Sequence, residues 1–80
     1  MDQKVVVEIF GEKFSLKTDQ DPDYLQTLAS VVDKEMRAVS RQASNLPPVR
    51  VSILAALKLA DEYFQLKKDF DEMAELAKKR

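Results

Sequence analysis

Beginning at Pro48, the stretch "PVRVSILAALKLADEYFQLKKDFDEMAELAKKR" has no glycine and no proline beyond its first residue. Its apolar residues recur at steps of three and four, the period of a single amphipathic helix. At 1.5 Å per residue such a helix is roughly 50 Å long. An 80-residue globule has a radius of gyration of about 12 Å and a diameter of roughly 30 Å. The helix therefore projects past anything the rest of the chain can build. The helix carries a heptad seam, with Ala56, Tyr63, Phe70 and Ala77 at a and Leu59, Leu66 and Met73 at d. Each large seam residue left in water forgoes about 1.5–3 kcal/mol of burial, so the expected cover is a second copy of the same helix. The spacing predicts an oligomerisation stalk. Ala60 and Ala74 at e and Leu76 at g widen the strip enough for a homotetramer as well as a homodimer. Glu62 at g facing Lys67 at e favours parallel pairing by less than about 1 kcal/mol. A second stripe, Ile53, Leu57, Ala60 and Phe64, is confined to the proximal half, where it is expected to pack on the remainder of the chain.

Composition points the same way. A chain this short buries a small core and needs a staple or a partner. With no cysteine and no histidine, disulfides, thiol nucleophiles and the commonest zinc ligands are excluded. The 13 basic residues are balanced by 14 acidic ones, which argues against affinity built on neutralising nucleic-acid phosphates. No apolar run reaches the roughly 20 residues of a membrane span, and "MDQKVVVEIF" lacks a signal-peptide layout. A cytoplasmic protein with neither nucleic acid nor membrane as partner is expected.

The first third reads as a hairpin. "KVVVEIF" and "KFSLK" flank "GE", a pair suited to a type II′ turn with Gly11 supplying the positive φ. That loop pairs Phe10 with Lys13, Ile9 with Phe14 and Val7 with Leu16, so Val5, Val7, Ile9, Phe14 and Leu16 share one face. A helix follows, with Asp21 as N-cap, Pro22 in the first helical position and Asp23 complementing the dipole. Its apolar stripe is Leu25, Leu28, Val32, Met36, Val39 and Ala43, and "NLPP" breaks it. The expected fold is α+β. Residues 1–47 form a head, with a hairpin over about 4–17 and a helix over about 21–44. Residues 48–80 form one long helix, its proximal half on the head and its distal half in a coiled coil.

Sites of chemistry are not expected. "DQDPD" alternates carboxylates like a calcium loop, but starting at Asp19 the sixth position is Tyr24 and the twelfth is Ser30, where glycine and glutamate are needed. Helix capping explains it better. One glycine cannot make a phosphate-binding loop. The acidic pairs Asp61 with Glu62 and Asp71 with Glu72 belong to a solvated helix flank. No catalytic, metal or cofactor residue is assigned, and an enzyme is not expected. Tyr63, Phe64 and Phe70 have helical spacing, which suits core or seam packing better than base stacking. Basic residues gather at the head end: Lys4, Lys13, Lys17, Arg37, Arg41 and Arg50. Together they are the best candidate polar docking face.

The segments "VVVEIFGEKFSLK", "DPDYLQTLASVVDKEM" and "VRVSILAALKLADEYFQLK", in this order and spacing, resemble the ZapA family of bacterial cell-division proteins, which associate with FtsZ. The likeness covers essentially the whole chain and is closest to the shorter form of the family. It implies a hairpin-and-helix head and a long C-terminal helix forming dimers and tetramers. It further implies that the heads bind FtsZ and that the assembly crosslinks FtsZ protofilaments into a Z-ring at midcell. Lys13, Lys17, Arg37 and Arg41 are the candidate contacts on the head. Glu12 departs from the pattern, standing where some members carry a basic residue. The competing expectation is a generic coiled-coil adaptor with an unrelated partner.

Overall fold

Two antiparallel strands open the chain, β1 (Gln3–Ile9) and β2 (Glu12–Thr18), followed by helices α1 (Pro22–Gln42) and α2 (Pro48–Lys78). The structure is a computed structural model that describes residues 2–79; Met1 and Arg80, the outermost residues of the expected head and long helix, lie outside the described residues.

The turn differs from the expected one. Ile9 pairs with Glu12, Val7 with Phe14 and Val5 with Leu16, so the two-residue loop is Phe10-Gly11. Both loop residues have positive φ, 53° and 82°, the signature of a type I′ turn rather than type II′. Both turn types suit the twist of the flanking strands; the positive φ at Phe10 as well as at Gly11 is what sets this one apart. The register is shifted by two residues from the expected one, and because side chains alternate with a period of two, no residue changes face. Val5, Val7, Ile9, Phe14 and Leu16 remain together, joined by Glu12.

Helix α1 starts where its capping chemistry dictates. The Asp21 side chain accepts a hydrogen bond from the Asp23 N–H at 3.0 Å, and Pro22 occupies the first turn. The helix lies along β1 rather than β2. Val5 and Val7 pack against Ala29, with Ile9 and Leu25 at the margin; the small Ala29 side chain lets the strand come close. Gln26 Nε2 also donates to the Val6 carbonyl at 2.8 Å, occupying a backbone acceptor of β1. On β2, Phe14 and Leu16 are left exposed.

Helix α2 packs on the C-terminal half of α1. Met36, Val51 and Ala55 form a second buried cluster, with Ile9, Phe10, Val32, Val39 and Leu46 around it. Ile9 borders both clusters and joins hairpin to helices. The face of α2 that meets the head is therefore not the expected stripe. Val51 and Ala55 are each 1% exposed, whereas Ile53, Leu57, Ala60 and Phe64 lie open. Residues 51 and 53 differ by about 200° around the helix axis, so burying one directs the other outwards.

The radius of gyration is 16.5 Å and the extents are 50 × 40 × 14 Å. A thickness of 14 Å is little more than the diameter of one helix. The head is thin, one helix on one face of a two-stranded hairpin, and apolar side chains remain on its open surfaces.

Candidate functional site

Two features of this flat molecule stand out. The first is the free surface of α2. Tyr63, Leu66, Phe70 and Met73 are 58–70% exposed, and Leu76 behaves alike. Ala56 and Ala77 are exposed, while Leu59 and Ala74 are half-buried. Tyr63 and Phe64 meet edge to face, with ring centroids 5.1 Å apart. A second exposed strip, Phe64, Leu57, Ile53 and Val49, runs beside it on α2. At its base it meets an open apolar groove of about 360 Å³ formed by Ile9, Phe10, Phe14, Met36, Pro48 and Val49, with Glu12 and Ser52 at its edge. Among the described residues nothing covers either strip.

The second feature is polar and lies at the hairpin tip. The Phe10 N–H donates to Asp33 Oδ1 at 2.7 Å. Arg37 Nε donates to both Asp33 oxygens, at 3.1 and 3.0 Å, and the Arg37 guanidinium lies 5.9 Å from the centre of the Phe10 ring. Ring, carboxylate and guanidinium close a triangle that fixes the turn to α1. The Phe10 N–H and the Arg37 side chain hold the Asp33 carboxyl below its ordinary value of 3.8, in that order of importance. Asp33 and Phe10 were not singled out from the sequence. The spacing of Asp33 and Arg37, one helical turn apart, was the available sign; that Asp33 also caps a turn 23 residues upstream had none.

The four candidate head cations fall into two pairs. Arg37 and Arg41 lie one turn apart on α1 and, with Phe10 and Ser40, line a shallow cavity of about 180 Å³. Lys13 and Lys17 stand on the hairpin face opposite Val5 and Val7, across from Glu8 and Lys4 respectively. Arg37 is the one member with an ion-pair partner within 4.0 Å among the described residues. Among the described residues there is also no group of three or more metal-ligating side chains, and no helix is long and apolar enough to cross a membrane.

Hairpin, capped helix and long helix together define a small α+β protein with a thin head and an apolar surface on α2 that no described residue covers. Comparison with known proteins makes the assignment specific: the family described as "Cell division protein ZapA" matches residues 5–80, and the chain belongs to that family. A role in cell division follows from this membership. Similar proteins include Cell division protein ZapA of Geobacillus sp. strain WCH70, 26% identical over 70 residues that cover 88% of this chain and 80% of the relative. The namesake of Bacillus thuringiensis strain Al Hakam is 26% identical over 77 residues, or 96% and 86% of the two chains. Among solved structures, a "ZapA mutant dimer from Geobacillus stearothermophilus" superposes with a TM-score of 0.75 at 26% identity, covering 98% of this chain and 91% of the other. A conserved bacterial protein of unknown function from Pseudomonas aeruginosa PAO1 shares the fold at a TM-score of 0.79 and 20% identity, with 96% and 86% covered.

Proposed function

We propose that this protein associates with itself through α2, binds FtsZ through its heads, and crosslinks FtsZ protofilaments in the cytoplasm at midcell. The observation that carries this reading is the uncovered strip at Tyr63, Leu66, Phe70 and Met73, which has the spacing of a coiled-coil seam. Self-association is supported further by the similar mutant dimer from Geobacillus stearothermophilus. Ala56, Leu59, Tyr63, Leu66, Phe70, Met73 and Ala77 form the seam of a homodimer and, through the width of the strip, a homotetramer. FtsZ as partner rests on the family to which the chain belongs. Contacts are assigned to the head cations Lys13, Lys17, Arg37 and Arg41.

The mechanism is avidity. One bound head raises the effective concentration of its tethered copies near neighbouring filaments, so individually weak contacts suffice to bundle. Cosedimentation with polymerised FtsZ, read alongside light scattering, tests it. The protein should pellet with filaments and increase scattering. Simultaneous charge reversal at Lys13, Lys17, Arg37 and Arg41 should abolish pelleting at unchanged oligomer mass. Failure of the unaltered protein to pellet would leave a coiled-coil adaptor with another partner.

A further inference from the structure

We propose that the cavity at the hairpin tip, between Phe10, Arg37, Ser40 and Arg41, is a carboxylate-binding site that receives an acidic side chain from a protein partner. The choice of FtsZ as that partner rests on the reading above; the site itself rests on geometry. It is lined by Phe10, Ser40 and two arginines one helical turn apart, with the Arg37 guanidinium over the Phe10 ring.

Arg37 is already oriented for the task. Its Nε is committed to Asp33, while its Nη groups make no hydrogen bond to the described residues and keep their donors for a ligand. Asp33 is itself held by the Phe10 N–H, so the guanidinium is clamped from below by the ring and from the side by the carboxylate. Such pre-ordering removes part of the entropy cost of binding. Arg41 has no ion-pair partner within 4.0 Å among the described residues. Asp33, Arg37 and Arg41 together leave one positive charge unmatched at the cavity. A planar, bidentate donor set beside an apolar floor suits a carboxylate and the short alkyl stem that carries it.

The lysine pair offers less. Lys13 faces Glu8 across the hairpin, Lys13 and Lys17 are roughly 13 Å apart along a strand, and neither lines a cavity named above. Nucleic-acid phosphate is disfavoured because two arginines in a chain of net charge -1 neutralise few phosphates.

Titration of the isotope-labelled full chain, followed by amide shifts, tests the site with two probes, a capped tri-glutamate peptide and a single-stranded oligothymidylate. The peptide should move the amides of Phe10, Arg37, Ser40 and Arg41. Arg41→Glu should weaken peptide binding about tenfold or more, the scale of a lost charge-assisted hydrogen bond, while Arg41→Lys restores part of it. Circular dichroism and sedimentation mass should stay unchanged. Peptide shifts centred elsewhere, unaltered affinity in Arg41→Glu, or tighter binding of the oligonucleotide at the same amides would overturn the proposal. FtsZ cosedimentation is the separate arm. Arg41→Glu should reduce pelleting further than the Lys13→Glu/Lys17→Glu pair does. If the unaltered protein does not pellet, the FtsZ reading fails and the peptide titration alone decides the site.

Discussion

Phe10 adopts a backbone conformation with φ of 53° that costs an L-residue roughly 1–2 kcal/mol. Its ring contact with Arg37 and its N–H bond to Asp33 offset that strain. Because the Asp33 pKa is depressed in the fold, the charged carboxylate is the form the native state holds. Its contribution is complete above the ordinary value of 3.8 and disappears as pH falls through the lower folded-state value. The Tm difference between the unaltered protein and Asp33→Asn should therefore be steady from neutrality down to weakly acidic pH, then shrink as pH drops below that ordinary value. A gap that widens in acid would contradict the role given to Asp33. Gly11 supplies a different test. A Cβ placed there meets nothing within 4 Å, yet φ is 82°, so the penalty of substitution is conformational and not steric. Gly11→Val should lower stability by about 1–2 kcal/mol or more, with Gly11→Asn much milder, as read from urea midpoints. The long helix should keep its circular dichroism in both.

At the scale of elements, the hairpin and α2 show how periodicity informs and misleads. The alternation of Val5, Val7 and Ile9 marks one face of β1 whatever the turn type, which is why a register displaced by two leaves the core face intact. Turn type itself depended on Phe10 entering the left-handed region, and the Asp33 hydrogen bond that supports it comes from another element. In α2 two apolar stripes compete for the head, and the period alone does not rank them. Packing against Met36 selects Val51 and Ala55, the smaller side chains, which let two helices approach closely. Val51→Ala should accordingly cost the fold about 2 kcal/mol. Ile53→Ala, at a position 55% exposed, should leave the isolated fold nearly unchanged and instead reduce association. Urea melts at two protein concentrations separate these effects: the first variant shifts both midpoints equally, the second only the concentrated one.

For the whole molecule, the decisive quantity is thickness. A body 14 Å thick has few positions shielded from both sides, and the buried hydrophobic set is confined to Val5, Val7, Ala29, Met36, Val51 and Ala55 among the described residues. Stability must come largely from association, so the thermal midpoint should rise with protein concentration. A midpoint independent of concentration, together with monomer mass in sedimentation, would refute this. Phe70 and Met73, 69% and 70% exposed, lie far along α2 from its contact with the head. Replacing both with glutamate would place charges in an apolar seam that nothing in the same chain could relieve. The double variant should lose any assembly beyond a dimer and cease to bundle FtsZ filaments while its heads still pellet with them. The surviving dimer would rest on the proximal seam at Leu59, Tyr63 and Leu66. Full bundling by a variant proven dimeric would mean that two heads are enough to bridge filaments.

The sequence by itself determined the number, kind and order of the elements, because these follow from local causes. The capping residues Asp21 and Pro22 start α1, "NLPP" stops it, a glycine permits the tight turn, and the period of α2 runs unbroken for 31 residues. The same local pattern sufficed to show that the long helix outruns the head. Tertiary structure decided which turn closes the hairpin, which face of α2 meets α1, and how the head cations divide between a lysine face and an arginine-lined cavity. Each of these is a choice among locally equivalent alternatives. It is settled by a contact between residues distant in sequence, such as Phe10 with Asp33 or Met36 with Val51, whose energy exists only once the chain has folded.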